Sequence, residues 1–286
     1  MKSRLLLNIL MLTVFSALIV IALFFTPDTN IEQPLTSLNP TAINTIFIPR
    51  KNGDISLQKN NGQWKMLSPY QIPAHDFRIH HLFKLTQLKS NKIYKADQLD
   101  LKKFGLSPPR TRIRFNQTWF DFGKTNPITQ QRYIKSGHNI ILANDDTYAL
   151  INSQPSSFVN LSLLPKGISL QSIKLPHTTL QLKNTRWETT PKQDISADEI
   201  QIFLQNWKHA QAFAVHAYLK RKQLGHIIIQ SKNKNINFEI SDKSPWLILA
   251  RPELGIEYHL SDNMLDKLLQ LKSNKNTSKS SEAGTP

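Results

Sequence analysis

"GQWKMLSPYQIPAHD" occupies residues 62–76, and "TRWETTPKQDISADE" occupies residues 185–199. Trp187 lies 123 positions after Trp64, and the same offset pairs Ala74 with Ala197 and Asp76 with Glu199. It also pairs Leu57 with Leu180, Gln58 with Gln181, Asn61 with Asn184 and Ile72 with Ile195. A phrase written twice points to an internal duplication, in which one strand–strand–helix unit needs the same packing solution in each copy. In both copies the Trp falls in the hairpin strand that leads toward a helix. Its large apolar area suits it to pinning that helix to the sheet, so Trp64 and Trp187 are read as structural anchors.

Around the first phrase, β-type runs at Thr45–Ile48, 55–58 and 63–67 are separated by the turn signals "KNGD" (51–54) and "NNG" (60–62). That pattern predicts an antiparallel meander. Pro73 and Ala74 open a predicted helix running to about residue 88, with Phe77, Leu82, Phe83, Leu85 and Leu88 as its apolar stripe. A second helical piece, 97–104, is expected to stop at Gly105, and Pro108 and Pro109 forbid its continuation. Strands are expected at 111–116, 118–122, 131–135 and 139–143. The second copy repeats the order: strands near 169–175, 178–183 and 185–189, a helix over 196–210, then strands near 226–231, 235–240, 245–250 and 256–260. Ser196 followed by Glu199 is a capping-box pattern. A last helix is expected over 262–271. The expected fold class is α+β, mostly antiparallel, with a first repeat over 45–165 and a second, degenerate repeat over 166–272.

Residues 1–27 read MKSRLLLNILMLTVFSALIVIALFFTP. The uncharged run 5–25 is 21 residues long, and at 1.5 Å per residue it matches a hydrocarbon core of about 30 Å. It ends in Leu23, Phe24 and Phe25 rather than the small residues that signal peptidase requires, and the chain has no Cys for a lipobox. An uncleaved transmembrane anchor is expected. Lys2 and Arg4 precede it, whereas Asp28 and Glu32 follow with no basic residue before Arg50. The positive-inside rule then places the N-terminus in the cytoplasm and the bulk of the chain outside the cytoplasmic membrane, in the periplasm of a Gram-negative cell. Residues 28–44, rich in Pro, Thr and Asn, read as a linker, and 273–286 as a disordered polar tail.

With 36 Lys and Arg against 20 Asp and Glu, the formal charge is +16. Such a chain favours anionic partners, namely lipid headgroups, envelope polyanions or nucleic acid. The same charge also serves as diffuse solubilising charge, and composition does not separate the two readings. The absence of Cys excludes disulfides, thiolate nucleophiles and cysteine metal sites.

Arg110, Arg112 and Arg114 alternate with Thr111, Ile113 and Phe115. Period two puts the three guanidinium groups on one face of a strand, either as an anion-binding ladder or as a solvated sheet face. Lys220, Arg221 and Lys222 form a second basic cluster in the matching part of copy two. In "AHDFRIHH", Asp76 and His80 share a helix face, but two ligands do not make a metal site, and His75 and His81 fall elsewhere around the helix. That stretch is read as an exposed face. No nucleophile elbow, P-loop or dinucleotide fingerprint is present, and only nine glycines exist to build nucleotide-cradling loops. No enzymatic activity, cofactor or metal is expected.

The chain resembles the family called domain of unknown function 4340. The resemblance rests on Gly62, Gln63 and Trp64 in the hairpin, then Pro69, Pro73, Ala74 and Asp76 at the helix entry. It continues through Asp100, Leu101, Phe104, Gly105, Leu106 and Pro108, then Phe122–Gly123, and finally Arg132, Tyr133 and Ile134. It spans about 45–165, with copy two as a degenerate continuation. Members of the family often occur beside genes for gliding-motility-type ABC exporters, which implies an accessory role in the envelope, and the family supplies no catalytic residue. The expected function is thus a membrane-anchored, extracytoplasmic, non-catalytic accessory or scaffold protein of an envelope or ABC-type transport complex. The alternative is a binding module for an anionic envelope polymer or lipid headgroup, using the two basic clusters. Nucleic acid is not an expected partner.

Overall fold

The structure is a computed structural model and describes residues 2–24, 32–232 and 234–271. In chain order the elements are α1 (Lys2–Phe24), β1 (Thr45–Ile48), β2 (Ile55–Asn60), β3 (Gln63–Ser68), α2 (Asp76–Leu82), β4 (Thr111–Phe115), β5 (Thr118–Thr125), β6 (Arg132–Ser136) and β7 (Asn139–Ala143). They continue with α3 (Tyr148–Ile151), β8 (Leu170–Lys174), β9 (Thr179–Lys183), β10 (Arg186–Thr190), α4 (Ala197–His209), β11 (Ala214–Ala217), β12 (Gly225–Ser231), β13 (Asn235–Asp242), β14 (Leu247–Arg251), β15 (Ile256–Leu260) and α5 (Asn263–Leu269). The class is α+β with antiparallel sheets and an N-terminal helix.

Two compact units emerge, one of Met1–Leu38, Thr86–Arg110 and Phe120–Asp145, the other of Asn39–Leu85, Thr111–Trp119 and Asp146–Pro286. In the second unit, β10-β9-β8-β12-β13-β14-β15-β11 form an eight-stranded sheet, and β3-β2-β1-β4 pair in the same unit. In the first unit the order is β5-β6-β7 followed by Tyr94–Lys95. Strand for strand, β3-β2-β1-β4 corresponds to β10-β9-β8-β12, and β5-β6-β7 with 94–95 corresponds to β13-β14-β15 with β11.

Registers agree at the same offset. Trp64 faces Lys59 across the β2–β3 hairpin, and Trp187 faces Leu182 across β9–β10. Both turns are left-handed at two successive positions: Asn61 and Gly62 have φ of 49° and 79°, Asn184 and Thr185 have 44° and 71°. Double left-handed backbone is the type I′ geometry, whose twist matches that of the flanking strands.

The core of the eight-stranded sheet lies under α4. Ile200, Phe203, Leu204 and Trp207 are its buried residues, at the i, i+3, i+4, i+7 spacing of one helix face. Ser196 caps α4 through a reciprocal box with Glu199, as the sequence predicts. Trp207 is fully buried, its ring lies 6.0 Å from Phe238, and its indole N–H donates to Leu268 O at 3.1 Å. Phe238 in turn meets Tyr258 at 6.3 Å. Apolar burial of this size contributes about 3 kcal/mol per large side chain.

Several expectations need correction. Residues 72–74 are extended: Met66 pairs with Ile72, Lys65 with Pro73, and the Ala74 amide donates to Trp64 O at 2.9 Å. The helix therefore starts only at Asp76 and tightens into a 3-10 turn over Phe83–Gln87. The piece expected at 97–104 is not α-helical. Asp100 Oδ1 accepts from the Lys102 amide at 3.1 Å, a local side-chain capture that competes with helix formation. The expected linker 28–44 is packed from Gln33 onward, because Gln33–Pro34 pairs with Lys89–Ser90, and Leu35 and Ile43 are buried. The expected tail 273–286 lies outside the described residues, as do 25–31.

Among the described residues no helix is long and apolar enough to cross a membrane.

Candidate functional site

Opposite residues in an antiparallel sheet share a face. The registers of β12, β13, β14, β15 and β11 place His226 opposite Glu239, Glu239 opposite Ala250, Ala250 opposite Glu257, and Glu257 opposite His216. The five residues form one row across the sheet. Phe238 and Tyr258 alternate with Glu239 and Glu257, so the row occupies the face away from α4. Alternation predicts that Glu257 and His259 of "IEYHL" meet water. Instead all five residues of β15 are buried.

The cover is the segment 218–224 joining β11 to β12. Its Leu219 amide donates to Glu257 Oε2 at 3.1 Å, and Arg221 Nη1 lies 2.8 Å from both carboxylate oxygens. His259 Nε2 bonds Glu257 Oε1 at 2.8 Å. Beside it the His216 ring lies 4.5 Å from the His259 ring. Tyr218 donates its hydroxyl to Glu239 at 3.3 Å.

Burial alone pushes the Glu257 carboxyl up, but the donors His259, Arg221 and the Leu219 amide outweigh it and hold the group below its ordinary range. His216 is pushed down by desolvation and by its neighbours His259 and Arg221, against the pull of Glu257. Tyr218 is pushed up by desolvation and by Glu239. The arrangement is an ion-paired clamp fastening a connecting segment to a sheet.

Next to it, Lys174, His226, Ile228, Asn237, Glu239 and Glu253 line an open cavity of about 740 Å³. Among the described residues no three His, Asp or Glu side chains stand together as a metal site.

The residues singled out in the sequence are distributed as follows. Arg112 lies 4.0 Å from the centre of the Trp119 ring, and Arg114 lies 5.2 Å from both Trp119 and Phe47. Both arginines are half-buried cation–π partners on one face of β4, while Ile113 and Phe115 are buried on the other. Arg110 is exposed just before β4, and its amide donates to Phe122 O at 2.8 Å. Lys220 and Lys222 are exposed, but Arg221 between them is consumed by Glu257, so that cluster offers two open cations rather than three.

Trp64 is buried, 6.0 Å from Phe83. Trp187 is only half-buried, and the second sheet is pinned instead by Trp207 from the helix itself. Gly105 is left-handed at φ 68°, and Pro108 is exposed behind it. A Cβ on Gly123 would lie 2.4 Å from Phe104 O, so the "FGL" turn and the strand pair Phe122–Gly123 touch at backbone range. His75 occupies the N-cap position of α2 and is pushed down by desolvation and by Arg78, against the pull of Asp76. His80 is exposed, and His81 bonds Asp146 O at 3.3 Å.

Several of the residues on which the family resemblance rests, Gly105 and Phe122–Gly123 among them, form these turns and contacts. A family model matches residues 64–283. The chain belongs to the family described as Domain of unknown function (DUF4340). The match starts at Trp64 and runs through the second sheet, so DUF4340 takes in copy two and not chiefly 45–165. Comparisons with curated proteins and with solved structures return no match.

Proposed function

We propose that the chain is a membrane-anchored, extracytoplasmic, non-catalytic accessory or scaffold component of an envelope or ABC-type transport complex, built on a duplicated α+β unit. The observation that carries this reading is the pairing of an exposed aromatic edge with a saturated polar cluster. Glu257 and His259 are the side chains best placed for chemistry, yet the carboxylate already accepts from Leu219, Arg221 and His259. Beside them Phe213 and Trp246 stand open to solvent with their rings 5.5 Å apart. A surface that presents aromatics over a locked polar base is suited to contact rather than turnover.

The anchor is supported by the uncharged run 5–25 behind Lys2 and Arg4. A single span in the cytoplasmic membrane with an N-terminus in the cytoplasm follows from that charge pattern. The duplication is supported by the repeated strand order and the shared hairpin registers.

In-cell crosslinking of the tagged full-length chain, followed by membrane purification and mass spectrometry, tests the reading. Reproducible recovery of a transporter or another envelope complex is the expected result. Recovery of the chain alone, with the protein carbonate-resistant in the membrane, would overturn the scaffold role and leave the anchor standing.

A second reading, binding of an anionic envelope polymer or lipid headgroup, is supported by Arg112 and Arg114 stacked on Trp119 and Phe47 on one face of β4. Its signature is retention on a polyanion that collapses between low and moderate salt. Retention unchanged in Arg110→Ser/Arg112→Ser/Arg114→Ser would remove those three arginines from it.

A further inference from the structure

The two copies differ at one sheet edge. In copy one the hairpin strand β3 is covered: Ile72 pairs with Met66, Pro73 with Lys65, and the Ala74 amide donates to Trp64 O at 2.9 Å. The covering segment is itself sealed, because the Asn160 amide donates to Pro73 O and the His75 amide to Phe158 O, at 3.0 and 2.8 Å. The 123-residue offset maps Trp64, Met66 and 72–74 onto Trp187, Thr189 and 195–197. In copy two that cover is missing. β10 is the last strand of its sheet, and α4 already begins at Ala197, the counterpart of the extended Ala74. The Ser196–Glu199 box winds the corresponding segment into the helix. Gln193 bonds Thr189 Oγ1 through its amide and Thr178 Oγ1 through its side chain, at 2.9 and 3.1 Å. The chain therefore crosses the base of the hairpin instead of returning along β10.

The open edge has a defined pattern. The two-residue turn makes Lys183 and Arg186 a hydrogen-bonded pair, so by alternation the backbone N–H and C=O of Trp187 and Thr189 point outward. The same parity holds in copy one, where Trp64 O receives the Ala74 amide. Among the described residues no backbone group reaches Trp187 or Thr189 from the outer side. Beside this edge Trp187 is half-buried and Leu182, opposite it, is 38% exposed, whereas Trp64 in the covered copy is 3% exposed. Outward donors and acceptors and an open apolar pair thus coincide. Copy one shows what such an edge takes: an extended antiparallel segment, apolar beside Met66 and small beside Trp64, with proline between them where no N–H is needed toward the strand.

We propose that β10 is the acceptor for an extended segment of a protein partner, of the Ile-Pro-Ala kind that seals copy one, added antiparallel beyond the last strand of the sheet. A second copy of this chain is the poorer occupant: the register that uses Trp187 and Thr189 of both copies sets two Glu188 carboxylates opposite each other. The inference rests on the scaffold reading and deepens it by naming where a partner binds and in what conformation.

A labelled peptide QIPAHD, the sequence of residues 71–76, is titrated into the purified full-length protein in detergent. Binding is expected, weakened about fivefold by N-methylation of its Ile and about fivefold by N-methylation of its Ala, the two amides that face β10. Thr189→Pro removes an outward N–H and leaves the β9 ladder intact, so it should weaken binding by a similar factor with the fold retained. Parent and N-methylated peptides that bind alike, or no binding at all, would overturn the proposal, and this arm needs no protein variant. In cells, p-benzoylphenylalanine in place of Glu188 should give an adduct with a partner that Thr189→Pro abolishes. An adduct with a second copy of the chain would reject the partner segment. No adduct from 188, while crosslinking of the tagged chain still recovers an envelope complex, sinks this inference and leaves the scaffold reading standing. Recovery of neither removes both.

Discussion

Arg221 and Glu257 are joined by one guanidinium nitrogen placed 2.8 Å from each oxygen of a fully buried carboxylate. Removing only the cation leaves a charge stranded under the sheet. Arg221→Met should therefore cost about 3 kcal/mol in denaturant unfolding, while Arg221→Met/Glu257→Leu recovers most of that loss. A single variant costing no more than the double would show that Leu219 and His259 suffice to hold the carboxylate.

The contact between the "FGL" turn and β5 is set by backbone rather than side chain. Gly123→Ala would drive its Cβ to 2.4 Å from Phe104 O, which cannot rotate away. A loss of about 3 kcal/mol is expected. Gly105→Ala meets the flexible Lys124 side chain at 2.9 Å and retains φ 68°, so about 1 kcal/mol is expected there. Reversal of that order in thermal melts would contradict the geometry.

Thr185 occupies the second left-handed position of its hairpin, where the first copy has Gly62. A β-branched residue at φ 71° is strained, and Thr185 is exposed. Thr185→Gly should raise stability by about 1 kcal/mol, net of glycine's greater freedom in the unfolded chain. An unchanged or lowered denaturation midpoint would count against the strain.

Two of the second copy's three tryptophans, Trp187 and Trp207, should behave differently. Trp207→Phe deletes a buried hydrogen bond to Leu268 and opens a void, for a loss of about 2–3 kcal/mol. Trp187→Phe, at a half-buried site, should cost less than about 1 kcal/mol. Equal losses in paired unfolding curves would restore Trp187 as an anchor.

Acid should destabilise the protein in two stages. His216 and His75 sit below their ordinary 6.5, so the unfolded chain takes up their protons first and stability falls as pH drops past 6.5. Glu257 sits below its ordinary 4.5, so its contribution is present above 4.5 and is lost as pH falls further, through the folded value. At the other extreme Tyr258, pushed up to about 12 by burial, loses its contribution as pH rises from 10 toward 12. His216→Gln should flatten the upper acid limb, and Tyr258→Phe the alkaline one. Denaturant midpoints that stay flat from pH 7 to 5 would exclude the histidine effect.

Most of the strand plan was legible because hairpin turns and alternation are local signals. Asn61–Gly62 and the Ser196–Glu199 box announce their geometry within four residues. The basic clusters were legible as charge, but their partners were not. Nothing in "KRK" indicates that the middle cation reaches Glu257, 36 residues away in sequence. "IEYHL" reads as a half-exposed strand, since what buries its polar side is a connection with no periodicity of its own. Trp187 was overread because an equal offset transmits register but not depth: burial depends on what the helix above supplies, and in copy two that helix brings Trp207.

Ala250 separates two carboxylates. Were Glu239 and Glu257 on adjacent strands, about 4.8 Å apart, their repulsion at an effective dielectric of 20 would be about 3.5 kcal/mol, and they would compete for a shared proton. One intervening strand bearing a methyl group doubles the spacing and halves that coupling. Each acid is left with its own histidine on its outer flank, His226 beside Glu239 and His216 beside Glu257. The row thus sets the buried, Arg221-paired carboxylate and the second acid two strands apart, so the clamp does not have to absorb the repulsion of an adjacent charge.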